Sequence, residues 1–253
     1  MPVDVHYELT GPRDAPVVAL SCSLGTDMSM WDPQLRALTG HFRVLRYDLR
    51  GHGSSPAPAG PYSIADLAGD VVALLDRLEL ERVHLCGVSI GGMTGMWLAA
   101  HEPARIDRLV LCCTSSFLDM GATYRERAAL ARVSGLDQLA DAALERWFTA
   151  GFRTANPELM AQIRRNVVAA KPEGYAGCCE ALATMDLRRE LGAIGAPTLV
   201  ISGEHDPATP PEHGRRIADG IAGARFELVD AAHLANIEQA PPVTDLIISH
   251  LTM

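Results

Sequence analysis

The stretch LCGVSIGGMTGMWLAAHEP, residues 85–103, decides the fold. It begins inside an apolar run over 82–88 that predicts a buried strand, and a helix is predicted from about 90 to 101. Between them the pentapeptide Gly87–Gly91 fits G-x-S-x-G, a sharp strand-to-helix turn that presents Ser89 above a sheet. The two glycines let strand and helix approach closely. Matches to so short a pattern also arise by chance, so a glycine-rich turn with a buried or capping serine is the alternative.

Two later loops offer the acid and the base that would activate a serine hydroxyl. Asp206 lies in SGEHDPATPPEHG (202–214), and His233 lies in LVDAAHLANIEQAPP (228–242). Each loop follows a predicted strand, so both should emerge at the carboxyl edge of the sheet, together with Ser89. The chain order serine, acid, histidine is the one that such a site requires. Asp206 could instead only begin the turn before the next proline, which is a common role for Asp.

The other candidates in these loops fit the chemistry less well. His205 is next to Asp206, but neighbouring side chains on an extended loop diverge, so we expect a structural role for it. His213 is expected on a helix and in solvent. His52, in DLRGHGSSP, is expected to make loop contacts, and Asp230 is the alternative acid.

Catalysis by a serine also needs two backbone N–H groups that stabilise an oxyanion. The residue after the nucleophile, Ile90, supplies one of them. The other is expected in the loop SCSLGTDMSMWDPQ (21–34), where Leu24 is the predicted donor and Ser23 the alternative.

Outside this stretch, short apolar or β-branched runs alternate with helical patterns. Strands are predicted at 5–9, 17–22, 43–48, 82–88, 108–113, 197–203 and 225–230. A helix is predicted over 64–80, with Ser63 and Asp66 as its capping residues. Segments between about 120 and 190 show helical patterns and no strand pattern, and a helix is predicted at each of 211–221 and 238–251.

This order predicts an α/β protein with a mostly parallel, doubly wound sheet. A helical cap is expected to be inserted after the sixth strand. The expected division is a core of residues 1–118 and 192–253 and a cap of residues 119–191.

Composition excludes several classes of protein. The net charge is −9 and there is a single lysine, Lys171, so no basic surface for nucleic acid is expected. No apolar run approaches the roughly 20 residues that span a bilayer, and the N-terminus does not resemble a signal peptide. The six cysteines match neither a zinc site nor a disulfide framework. We therefore expect a cytoplasmic protein without metal or cofactor that acts on a small molecule. The sequence leaves a monomer and a homo-oligomer open.

With these residues in view, the chain resembles the α/β-hydrolase superfamily and, within it, the 3-oxoadipate enol-lactonases of aromatic degradation by the β-ketoadipate pathway. The resemblance covers nearly the whole chain and lies in SLGTDMSMWDPQ, RYDLRGHGSSPAPAGPYSI, GVSIGGMTGMWLA, ERWFTAGFRTANPEL, PEGYAGCCEAL and APTLVISGEHDPATPPEHG. RGHGSS and G-x-S-x-G-G occur across the superfamily, whereas the two cap segments are more specific. Most members have His-Gly where this chain has Cys22-Ser23, and enol-lactonases also depart there.

The resemblance implies a site and a reaction. The implied residues are Ser89 as nucleophile, Asp206 as acid, His233 as base, Leu24 and Ile90 as oxyanion donors, and Trp147 and Tyr175 as pocket walls. Both aromatic residues fit the core of the cap equally well. The implied reaction is the hydrolysis of 3-oxoadipate enol-lactone, whose carboxylate needs an arginine. Arg125 is the named candidate, with Arg127 and Arg132 on the same helix.

Several other functions are compatible with the same residues. A carboxylesterase, another lactonase or a C–C bond hydrolase would use the same triad, and a non-catalytic binding protein could keep the fold. A dehalogenase or an epoxide hydrolase would need aspartate at the position of Ser89.

Overall fold

A seven-stranded sheet forms the centre of the molecule in the computed structural model, which describes all 253 residues. The strands are β1 (Tyr7–Thr10), β2 (Val17–Ser21), β3 (Arg43–Tyr47), β4 (Val83–Val88), β5 (Ile106–Cys112), β6 (Thr198–Gly203) and β7 (Arg225–Val229). All seven lie within one or two residues of the predicted runs.

The sheet has the strand order β1-β3-β2-β4-β5-β6-β7. β1 pairs antiparallel with β3, and every other pair is parallel. Every residue of β4 and of β6 is buried, as expected for central strands that are covered on both faces. The predicted α/β class with a mostly parallel, doubly wound sheet is confirmed.

Helices connect the parallel strands. The connecting helices are α1 (Asp32–Leu38), α2 (Ile64–Arg77), α3 (Ile90–His101) and α9 (Pro211–Gly220). Two more helices follow β7, α10 (Ala235–Glu238) and α11 (Ala240–Leu251), and short 3-10 turns lie at Met28–Trp31, Pro103–Arg105 and Leu191–Ala193. The predicted cap of α2 is present. The Asp66 N–H donates to Ser63 Oγ (3.1 Å), and the Ser63 N–H donates to the Asp66 carboxylate (2.9 Å).

Five further helices lie between β5 and β6, and we call this segment the cap. They are α4 (Gly121–Ser134), α5 (Asp137–Trp147), α6 (Ala150–Ala155), α7 (Pro157–Ala169) and α8 (Pro172–Thr184). A bridge between Phe117 and Asp186 joins the two ends of the segment. The exact division at residues 119 and 191 stays a prediction.

The cap follows the fifth strand, so its expected place after the sixth strand is wrong. The five runs predicted before residue 120 are the five observed strands, and no further strand lies between β5 and the cap. Residues 1–6 form no strand: the Val3 N–H donates to the Asp70 carboxylate (2.7 Å), and the His6 N–H donates to Ser55 Oγ (2.8 Å).

The cap packs tightly on the core at two places. On one side, a Cβ atom on Gly174 of α8 would lie 2.1 Å from the Gly51 Cα, so the two backbones touch. On the other side, the Leu234 N–H donates to the Trp147 carbonyl (3.0 Å) at the end of α5. These contacts fix both α5 and α8 relative to the loops of the sheet.

Two further features concern the environment of the chain. None of the helices has the length and apolar character that crossing a membrane requires. All six cysteines are buried and unpaired. Burial raises the pKa of Cys86 and of Cys178, so these thiols remain protonated at neutral pH.

Another close crossing joins β4 to α3. A Cβ atom on Gly91 would lie 2.5 Å from the Ser21 carbonyl oxygen, and one on Gly87 would lie 2.3 Å from the Gly91 carbonyl oxygen. Both neighbours are backbone atoms, which cannot rotate away. The need for glycine on both sides of Ser89, predicted from the motif, therefore has a steric cause.

We predict that Gly91→Ala lowers the free energy of unfolding by about 1–3 kcal/mol, because the added methyl group overlaps the backbone of Ser21. Gly69→Ala is the matched control. Gly69 lies in α2 with no atom within 4 Å of its Cβ position, so alanine there should stabilise by about 0.5–1 kcal/mol. Urea unfolding of both variants measures the effects, and equal stabilities would contradict the steric account.

Candidate active site

Ser89 occupies the turn between β4 and α3 in a backbone conformation that residues other than glycine rarely adopt. Its φ is 57° and its ψ is −120°. The Ser89 N–H donates to the Cys112 carbonyl (3.0 Å), and Thr114 Oγ1 donates to the Ser89 carbonyl (2.7 Å). Such a conformation costs on the order of 1–3 kcal/mol and persists only where its surroundings impose it. The hydrogen bonds from both sides hold the serine in this position.

Asp206 and His233 form a buried pair at the same edge of the sheet. Asp206 follows β6, His233 follows β7, and the distance from Asp206 Oδ2 to His233 Nδ1 is 2.8 Å. The exposed fraction of each residue is 3%. The structure thus brings together the two loops that sequence analysis selected.

The Asp206 carboxylate is held in its ionised form. Burial alone would raise the pKa of Asp206, but the facing His233 ring and hydrogen bonds from Thr209 lower it below the ordinary value. The Thr209 hydroxyl donates to Oδ2 (2.7 Å), and the N–H groups of Ala208 and Thr209 donate to Oδ1 (2.8 and 3.0 Å). Because the carboxylate accepts from Nδ1, the other ring nitrogen, Nε2, keeps a lone pair for a proton.

The loop after β2 leaves one N–H group free where the oxyanion donor is expected. The Ser23 N–H points at Met30 Sδ (3.3 Å), whereas the Leu24 N–H has no acceptor in the protein. Ile90 is the first residue of α3, and the N–H groups of a first turn have no intrahelical partner. Leu24 and Ile90 therefore keep the free donors that the predicted roles need.

His52 anchors this loop, in agreement with its expected loop contacts. Its Nε2 accepts from the Gly25 N–H (2.9 Å), and its Nδ1 lies 3.2 Å from the Arg50 carbonyl. The ring is therefore neutral, with its proton on Nδ1, and burial lowers the pKa of His52 accordingly. The position of Leu24 thus depends on a histidine from another loop.

The remaining histidines lie outside this arrangement. His205 is exposed and pairs with Asp230 (2.9 Å), so this acid is engaged away from His233. His213 is half-buried and lies 2.7 Å from Ser115 Oγ, so the expectation that it is solvated is wrong. It lies on α9, which turns it towards the end of β5. Glu204, His205 and Asp230 are the residues that could hold a metal ion, and all three are exposed.

Two aromatic residues of the cap converge on the loop that carries Leu24. A Cβ atom on Gly25 would lie 3.4 Å from Tyr175 Cε2 and 3.5 Å from Trp147 Cη2. Trp147 and Tyr175 are buried, and the Trp147 carbonyl accepts from the residue that follows His233. Their rings therefore lie next to the predicted site and not in a remote core of the cap.

A cleft of about 210 Å³ opens beside the same loops. Gly25, Met30 and Leu234 line it from the core, and Leu159 and Ile163 line it from α7. A small, largely apolar molecule fits such a space.

The three arginines of α4 have different surroundings. Arg125 is exposed, and its predicted role in binding substrate stays a prediction that no contact supports. Arg132 is bound to the carboxylates of Glu173 and Glu180. Arg127 is half-buried, with its guanidinium 5.2 Å from the centre of the Tyr124 ring. Since each helical residue turns about 100°, Arg127 lies on the inner side of α4 and Arg125 on the outer side.

Sequence analysis missed one residue that supports the site. Thr209, three residues after Asp206, donates to the carboxylate and lies 3.4 Å from His233 Nδ1. The Asp-x-x-Thr spacing could have predicted it, because an Asp side chain commonly accepts from the residues that follow.

Comparisons with known proteins agree with this geometry. A family model described as the alpha/beta hydrolase fold matches residues 16–240. The chain is 40% identical to 3-oxoadipate enol-lactonase 2 of Acinetobacter baylyi over 237 residues, which are 94% of this chain and 89% of that protein.

Two solved structures share the fold of this chain. The enol-lactonase from Burkholderia xenovorans LB400 is 49% identical with a TM-score of 0.98, covering 99% of this chain and 97% of that one. A thermophilic esterase from Thermogutta terrifontis, with malate bound, is 30% identical with a TM-score of 0.94, covering 99% and 93%.

We predict that Asp206→Asn lowers kcat by about 10³–10⁴-fold, because an amide in place of the carboxylate favours the wrong tautomer of His233. Asp230→Asn is the matched control in the neighbouring loop. Its exposed pair with His205 is worth at most about 1 kcal/mol, so kcat should stay within about twofold. Steady-state kinetics with an activated ester measure both effects, and the reverse pattern would identify Asp230 as the acid.

A second prediction concerns acid stability. The pKa of His52 lies below its unfolded value of about 6.5, so unfolding takes up a proton as the pH falls below that value, and stability is lost there. His52→Gln keeps an acceptor for the Gly25 N–H but does not titrate. The variant should therefore lose less unfolding free energy than the wild type between about pH 7 and pH 5. Urea unfolding across this range tests it, and parallel curves would contradict it.

Proposed function

Because this chain belongs to the alpha/beta hydrolase family, we propose that it is a serine hydrolase that opens lactone rings. Ser89 is the nucleophile, His233 the general base and Asp206 the acid that orients it. The observation that carries the proposal is the 2.8 Å contact between His233 Nδ1 and Asp206 Oδ2 at the edge of the sheet where Ser89 turns outward. A buried ionised carboxylate on one ring nitrogen makes the other nitrogen an effective base.

The proposed substrate is 3-oxoadipate enol-lactone, which would be hydrolysed to 3-oxoadipate. The similarity to two enol-lactonases over nearly the whole chain, cap included, supports this choice. The rings of Trp147 and Tyr175, which lie beside Gly25 in the loop of Leu24, support it as flat walls for a compact ring.

In the first half of the proposed reaction, Ser89 Oγ attacks the lactone carbonyl while His233 Nε2 takes its proton. The free N–H groups of Leu24 and Ile90 stabilise the oxyanion that forms. The ring C–O bond then breaks. The leaving enolate, which stays attached to the same acyl chain, takes up the proton from His233 as an enol and leaves the imidazole neutral for the second half. Since an enolate is a good leaving group, His233 needs to supply little acid assistance in this step.

In the second half, water attacks the ester formed on Ser89 and gives a proton to His233. Collapse of this intermediate releases a carboxylate and returns the proton to Ser89 Oγ. The enol of the product takes up a proton on carbon and becomes the ketone. Side chains of this chain and water suffice for every step.

A simple carboxylesterase is the alternative, and the likeness to the Thermogutta esterase favours it. The triad and the oxyanion donors would serve both reactions equally. The two functions differ in what the cap must recognise, because an enol-lactone of this kind carries a carboxylate and a simple ester does not.

The proposed reaction takes place in the cytoplasm. Six free, buried cysteines are typical of a reducing compartment, where thiols are kept from pairing. Vicinal Cys112 and Cys113, with 3.9 Å between their sulfur atoms, remain thiols in this fold.

We predict that the purified protein hydrolyses 3-oxoadipate enol-lactone and that Ser89→Ala lowers this activity by at least about 10⁴-fold, because triad members act as a unit. Ser54→Ala, in an exposed loop, is the matched control and should retain full activity. Loss of the enol-lactone absorbance measures turnover.

Side-by-side assays separate the proposal from its alternatives. The enol-lactone should give a kcat/KM at least about 100-fold above that of p-nitrophenyl acetate, a discrimination of the size that a few specific contacts provide. Rapid hydrolysis of the simple ester without turnover of the lactone would favour the esterase. Normal lactone turnover by Ser89→Ala would end the proposed mechanism.

A further inference from the structure

Two half-buried arginines of the cap have no acidic partner. The guanidinium groups of Arg127 on α4 and Arg146 on α5 donate no hydrogen bond, and neither has a carboxylate within 4 Å. The other partly buried arginines of the cap differ in this respect: Arg153 and Arg164 each have a carboxylate within 4 Å. A cation that loses part of its hydration without gaining a partner is costly, so an unpaired arginine in such a place indicates a missing anion.

The two cations lie close to each other among apolar and aromatic groups. Burial lowers the pKa of Arg146, and the positive charge of Arg127 lowers it further. Tyr175, Tyr124 and Glu145 act on the pKa of Arg146 in the opposite direction, and the Arg127 guanidinium lies 5.2 Å from the centre of the Tyr124 ring. Glu145, the acid next to Arg146 in the chain, lies 3.9 Å from Arg153. Two adjacent cations without an acid between them repel each other, and a single anion bound to both would relieve this repulsion.

The cap helices around these arginines contact the loops of the proposed triad. Tyr175 contacts the backbone at Gly25, the residue after Leu24. Arg146 precedes Trp147, whose carbonyl accepts from Leu234, the residue after His233. Burial raises the pKa of Tyr124 and the Asp206 carboxylate adds to this effect, so the tyrosine beside Arg127 lies within electrostatic reach of the triad.

We infer that Arg127 and Arg146 together form a carboxylate-binding subsite that holds the substrate by the end remote from the reacting carbonyl. The inference rests on the proposed function and deepens it, because it names acyl compounds with a free carboxylate as the preferred class. A guanidinium offers paired donors that match the two oxygens of a carboxylate. Since the chain as a whole carries a charge of −9, recognition of an anion must come from such local cations.

With this subsite, the exposed Arg125 is not needed to bind the substrate carboxylate. Substrate bound through Arg127 and Arg146 spans from the inner faces of α4 and α5 to Ser89, with Trp147 and Tyr175 along its sides. Specificity for the carboxylate then appears in kcat/KM, because the anion is held in the ground state and in the transition state alike.

The test compares Arg127→Gln and Arg146→Gln with Arg125→Gln, an exposed control on α4. With the enol-lactone as substrate, each of the first two variants should lower kcat/KM by about 10- to 100-fold, the effect of losing a charged hydrogen bond. The control should stay at the wild-type value. With p-nitrophenyl acetate, which has no carboxylate, all three variants should match the wild type, and this also shows that they are folded. Loss of activity on both substrates to the same extent would overturn the subsite.

Inhibition by glutarate separates the subsite from the proposed function. Glutarate should compete with p-nitrophenyl acetate in the wild type, and its inhibition constant should rise about 10-fold or more in Arg127→Gln and in Arg146→Gln. This measurement does not require lactone turnover, so it can support the subsite even if the enol-lactone is not a substrate. An inhibition constant for glutarate that is equal in the wild type, Arg127→Gln, Arg146→Gln and the Arg125→Gln control would overturn the inference. Arg127→Lys, which keeps the charge, should lie between the wild type and Arg127→Gln.

Discussion

The backbone contact between β4, α3 and the end of β2 is the constraint on which the rest of the site depends. Gly87 and Gly91 have no room for a Cβ atom, and this closeness forces Ser89 into a positive φ of 57°. The same turn starts α3 immediately after the serine, which leaves the Ile90 N–H free beside it. One steric feature thus sets the direction of the nucleophile and the position of an oxyanion donor.

The sheet then brings distant residues to that turn. β2, β4, β6 and β7 are parallel, so the loops that carry Leu24, Ser89, Asp206 and His233 all leave the same edge. Each loop has its own support. His52 holds the loop of Leu24, Thr209 holds the Asp206 carboxylate, and Trp147 binds the backbone next to His233. The site is therefore rigid where the proposed chemistry requires fixed donors, and this rigidity comes from hydrogen bonds outside the triad.

Prediction from sequence succeeded where local physics is decisive. The G-x-S-x-G turn and the alternating strands are short-range patterns, and they predicted the sheet and the loops of the triad. It failed on α4 because that helix buries only Tyr124, Ala128 and Ala131. Alanines do not mark a face as strongly as large apolar residues, so the pattern did not show that Arg127 and not Arg125 points inward.

Core and cap therefore contribute different properties to the proposed enzyme. The core supplies groups that would attack any activated acyl carbon. Its geometry does not discriminate between a lactone and an open-chain ester. The cap carries two half-buried arginines without a carboxylate partner and two aromatic rings beside the loop of Leu24. α5 and α8 are fixed to the core through Leu234 and Gly51. In the inferred subsite, selectivity for length and charge follows from this arrangement: a substrate is favoured when its carboxylate reaches the arginines while its carbonyl lies at the serine.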